Sequence, residues 1–155
     1  MSKLVHRVAA ILALLCIATF FLSSIVVELL GSHAAVAQLK SLIVTPGLWI
    51  LIPAMAAAGG SGMLVAKTHQ GRLVDAKKRR MPFIAANGLL VLMPCAIVLE
   101  RWAAAGSFHA TFYAVQAVEL MAGAVNLALM GLNVRDGLRM SGRMQRAPRT
   151  AAANG

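Results

Sequence analysis

Four long apolar stretches, at 8–31, 42–66, 82–99 and 108–134, are separated by short polar segments. Each is close to the ~20 residues that carry an α-helix across the ~30 Å of bilayer hydrocarbon. Inside that layer there is no water to bond a free backbone group, so the pattern predicts helices throughout. The expected fold is all-α: an integral membrane, antiparallel four-helix bundle formed by residues 1–134. A basic tail at 135–155 follows, in which Gly137, Gly142 and Pro148 predict a fraying extension and then disorder.

The four runs differ in ways that bear on packing. The first follows Lys3, His6 and Arg7 and contains one charge, Glu28, near its end. It exceeds the 7–15 apolar residues of a signal peptide and reads as an uncleaved anchor. Because Ala35-Val36-Ala37 has the small-x-small form of a cleavage site, removal of residues 1–37 stays open. The second run holds Pro46, Pro53 and Gly59-Gly60-Ser61-Gly62, a poor helix in water that neighbouring helices can repair in lipid. Its Ala57, Ala58, Ser61 and Gly62, with Gly123 in the fourth run, offer small faces for close helix approach. The third run opens on Pro82, predicted at a first-turn position where its missing donor costs nothing.

Composition supports a lipid environment, with 59% hydrophobic and 13% charged residues against 45–50% apolar in an ordinary soluble domain. The net charge of +10 takes its meaning from position. With the N-terminus inside, thirteen of the fifteen Lys and Arg residues fall on one side, in the N-terminal segment, the 67–81 loop and the tail. Lys40 and Arg101 are left outside. That asymmetry predicts an inner (cytoplasmic) membrane protein with both termini cytoplasmic. Trp49, Trp102 and Tyr113 fall at the opposite surface, as amphipathic rings do. Lys77, Lys78, Arg79, Arg80, Arg135, Arg139 and Arg143 read as topology signals or as contacts to anionic lipid headgroups. They flank apolar runs and line no soluble face, so nucleic acid is not an expected partner. Cys16 and Cys95 are expected at different depths, as apolar packing without a disulfide.

The fourth run carries the strongest pattern. Glu119, Asn126 and Asn133 recur every seven residues, with His109, Gln116 and Gly123 in the same period beside them. At about 100° per residue, seven steps nearly close on themselves, so these residues form one polar or small stripe that must turn away from lipid. No Lys or Arg lies inside the four runs, and desolvation penalises a carboxylate. Glu119 is therefore expected as a neutral carboxyl bonded to an amide or hydroxyl such as Asn87, Ser61 or Thr19.

Three functional readings follow. The leading one is a non-enzymatic protein acting by helix association, as a homo-oligomer or an accessory subunit beside another membrane protein; seven-residue spacing is the seam of packed helices. The second is a proton- or cation-coupled transporter or channel using Glu119 with Gln116, Asn126 and Asn87. The third is a redox protein with haem b or a metal ion held by His33 and His109 near the outer surface. No C-x-x-C-H, G-x-S-x-G, H-E-x-x-H or phosphate-loop pattern occurs, so the expectation is no enzymatic activity and no cofactor.

Overall fold

The computed structural model describes residues 2–67 and 72–145, with side chains at 4–62, 75 and 79–139. Among these residues every element is helical: α1 (Ser2–Leu30), α2 (His33–Leu42), α3 (Trp49–Lys67), α4 (Arg72–Asn87), α5 (Met93–Ala104) and α6 (Ala110–Gln145). A wide, kinked turn, Ile43–Leu48, in which Thr45 is extended (φ −135°, ψ 110°), joins α2 to α3, and a π-helical turn, Gly88–Leu92, joins α4 to α5. The described residues thus hold four helical stretches long and apolar enough to cross a membrane: Leu4–Leu30, His33–Gly62, Arg79–Ala104 and Ala110–Arg139.

Local chemistry sets the joints. Ser32 caps α2, its side chain accepting from Ala35 N at 3.3 Å. Gly106 ends the turn after α5 at φ +68°, in the left-handed region that favours glycine. His109 caps α6, its Nδ1 accepting from Phe112 N at 3.2 Å. Both wide turns sit beside a proline, Pro46 inside the first and Pro94 just after the second, where a missing N–H breaks the hydrogen-bond ladder. The Thr45–Pro46 peptide is cis.

Several boundaries differ from the sequence expectation. The second stretch begins at His33 and not at 42, because a good N-cap precedes ten residues without a breaker. Lys40 therefore lies within it. The third helix begins at Arg72, placing the basic tract of the expected loop on its first turns and Pro82 inside the helix. The last helix continues past Val134 and through Gly137 to Gln145. At 1.5 Å per residue its 36 residues span about 54 Å, well beyond hydrocarbon thickness. The rest of the expected tail, 146–155, and the loop residues 68–71 lie outside the described residues.

α1 packs chiefly on α3, α2 on α5, and α4 on α6. The buried core forms two clusters. Ala13, Ile17, Leu51, Ala54, Ile84 and Met130 make one; Val36, Leu99, Ala103 and Phe112 make the other. Large apolar side chains such as Leu15, Leu22, Leu30, Phe83, Leu90 and Met121 are exposed around the outside. That surface suits a hydrocarbon solvent and is far larger than a water-soluble monomer presents.

The small residues of α3 divide between two environments. Gly62 is buried where a Cβ would strike Met81 and His6, so glycine lets α1 and α4 approach. Ala58 is half-buried under His6, whose Nδ1 donates to the Ala58 carbonyl at 3.0 Å and lies 3.4 Å from Ser61 Oγ. His6 is thus an anchor between α1 and α3. Ala57 is exposed, and a Cβ at Gly59 or Gly60 would meet nothing. On α6, Gly123 accommodates the Phe21 ring, 3.2 Å from where its Cβ would be.

Candidate functional site

Glu119 lies nine residues into α6, about 14 Å along its axis. Lys40 Nζ donates to Glu119 Oε2, and the two side chains are 1% and 11% exposed. The expected amide or hydroxyl partner is therefore corrected. Glu119 is instead paired with an ammonium group, which sequence reading had placed outside the membrane. Asn87, Ser61 and Thr19 are engaged elsewhere: Asn87 with α6 further along, Ser61 with the Ala57 carbonyl of its own helix, and Thr19 through its carbonyl with Ser23. An unpaired charge this deeply buried would cost several kcal/mol, and pairing offsets part of that penalty.

The layer around the pair is richer than an isolated bridge. Glu28, half-buried on α1, lies within electrostatic reach of Lys40, Glu119 and His33. Cys95 on α5 is similarly close to Glu119 and Lys40. Both cysteines are free and half-buried. Gln116, one turn from Glu119 on the same helix, is 3% exposed, and neither its amide nitrogen nor its oxygen has a partner. Lys40 takes Oε2, and no other side chain among the described residues bonds Oε1.

Beside this layer is a chamber of about 380 Å³, within the ~300–1,000 Å³ of small-molecule sites. Phe20, Phe21, Met55, Leu89 and Met93 supply much of its wall, and both wide turns contribute, through Ile43 and Leu48 and through Gly88, Leu89 and Leu92. Glu119 and Ser24 are the polar side chains among the lining residues. π-Helical turns concentrate at functional sites, and here one such turn, Gly88–Leu92, and the kink at Thr45 border one cavity. Gly47 makes the first turn possible, since a Cβ there would lie 2.6 Å from the Phe20 ring.

Further along α6 the stripe is engaged by α4. Asn87 Nδ2 donates to the Ala122 carbonyl at 2.8 Å and to Asn126 Oδ1 at 3.0 Å; Asn126, fully buried, donates in turn to the Ile84 carbonyl at 3.5 Å. Ten residues on, Arg80 Nη1 donates to Asp136 Oδ2 at 2.7 Å, and Arg135 Nε lies 3.5 Å from Oδ1. Between them Asn133 is half-buried with Oδ1 unpartnered. Asp136 had no role in the sequence reading. Arg80, read there as a headgroup contact, is its partner. Arg79 and Arg139 are exposed, while the side chains of Lys77, Lys78 and Arg143 lie outside those described.

His33 and His109 share an aromatic cluster but have separate occupations. His33 stacks on Phe108 at 4.2 Å, while His109 caps α6 and meets Trp102 edge-on at 4.9 Å. Among the described residues no group of three or more His, Cys, Asp or Glu is placed to hold a metal ion. No family model, curated protein or solved structure matches the chain at a significant level.

Proposed function

We propose that this chain is a four-span inner-membrane protein, its helices antiparallel and both ends cytoplasmic, that acts without covalent chemistry by holding a small lipophilic molecule inside the bundle. The charge distribution supports the orientation, more so once Lys40 is counted within a span, since Arg101 is then the one cation of the outer links. The single observation that carries the function is the meeting of an apolar chamber, a buried ion pair and two broken helices at one level. Each is costly in a bundle built only for stability. A carrier role for Glu119 follows from the same geometry, with ligand entry and Lys40 release as coupled events. An open channel fits less well, because the Asn87–Asn126 bridge closes the stripe on one side of the chamber.

Native mass spectrometry of the full-length protein, released gently from its own membranes, tests this reading. A small apolar species should remain bound and should disappear in Gly59→Leu, which builds a side chain into the open space at the chamber wall. Bare wild-type protein, or a bound species indifferent to the variant, contradicts it.

A second reading, association with another copy or with a different membrane protein, is favoured by the exposed small residue Ala57. Ala57→Leu should then lower the oligomer fraction in crosslinked native membranes; an unchanged pattern removes this surface from the account.

A further inference from the structure

Resting on that reading, we infer that the chamber selects an uncharged lipophile whose polar group donates a hydrogen bond, an alcohol or phenol in class, to Oε1 of Glu119. The apolar wall sets the body of the ligand: among the described lining residues, Glu119 and Ser24 alone carry polar side chains. The ion pair sets its head. Lys40 already neutralises Glu119 through Oε2, so a cationic ligand would bring an extra, unbalanced charge into a low-dielectric space. A head that only accepts, such as a ketone, ester or ether, would turn its lone pairs against those of Oε1. A hydroxyl adds no charge and supplies the donor that this carboxylate oxygen lacks. The unpartnered amide of Gln116, almost fully buried one turn away, is a second sign that protein groups alone leave this layer incomplete.

The contrast with α4 supports the assignment. At Asn126 the helices supply every partner, and Gly88 brings the backbone close enough that a Cβ there would lie 3.7 Å from Asn126 Nδ2. At Glu119 the second wide turn carries Leu89 and Leu92 to the wall of the space, leaving Oε1 without a protein donor.

The test uses two photoactivatable probes on the full-length protein in bilayers: a long-chain diazirine alcohol and its methyl ether, alike except for the donor. A hydrogen bond to a charged acceptor should make labelling of the peptides carrying Phe20, Met55 and Leu89 about tenfold stronger for the alcohol at limiting concentration. In Lys40→Met/Glu119→Leu, which removes acceptor and counter-ion together, that preference should fall to about one while chamber labelling by both probes persists. Equal labelling of the wild type by both probes overturns the donor assignment and leaves the chamber standing. Absence of chamber labelling by either probe overturns the chamber reading as well. A preference for the alcohol that survives in the double variant places its origin away from Glu119 and also rejects the inference.

Discussion

The Glu119 layer and the Asn126 layer share one helix and one face, seven residues apart, yet they are built differently. Asn126 is fully buried, bonded to Asn87 and the Ile84 carbonyl. Glu119 is paired with Lys40 but keeps one oxygen free, beside an unpartnered Gln116 amide and the apolar chamber. Interhelical amide bonds hold helices together at modest strength, about 0.6 kcal/mol on average. A buried charged pair is a poor way to achieve the same end, because well-packed apolar residues do as well or better. The difference teaches that a repeated polar stripe need not have one purpose: one layer joins helices, and the other retains unused bonding capacity.

The largest effect should come from splitting the Lys40–Glu119 pair. Lys40→Met leaves a buried carboxylate alone and should lower unfolding stability in mixed micelles by about 3–5 kcal/mol, whereas Lys40→Met/Glu119→Leu should recover most of it. If the single variant is as stable as the wild type, the pair is not buried in the way described. Next, Asn87→Ala should cost about 0.6 kcal/mol and at most ~1.7, read by the same denaturation; a loss matching that of Lys40→Met would erase the distinction between the layers. Arg80→Met should have the smallest effect, since Arg80 is 25% exposed and Arg135 remains beside Asp136. Raising ionic strength should reduce that last difference while leaving the Lys40 effect in place, because solvent ions screen a partly exposed pair better than a buried one.

Much of this architecture is legible in the chain. Four apolar runs locate the four membrane-length helices, and heptad spacing from Gln116 to Asn133 marks the face of α6 that packs inward. Lys40 was misplaced because a hydropathy run stops at its first charges, whereas a helix stops where its backbone loses partners. The Ser32 cap and the unbroken HAAVAQLKSL segment were the available signals, and they extend the second helix outward by nine residues. The chamber was not legible at all. It depends on where two proline-adjacent turns widen relative to α6, and a sequence marks the prolines without giving the direction in which the backbone opens. Asp136 escaped notice for a related reason: a lone acid in a basic tail reads as solvated until the helix is known to continue past it and α4 to bring Arg80 alongside.

The central claim is that the protein leaves Glu119 Oε1 for something other than itself. An experimental structure of the full-length protein, extracted with its native lipids, tests this most directly. The account predicts non-protein density in the chamber, with one polar atom within hydrogen-bonding distance of Oε1 and Lys40 still on Oε2. A chamber closed by Phe20 and Met55, with both carboxylate oxygens bonded to Lys40 and Gln116, would contradict it.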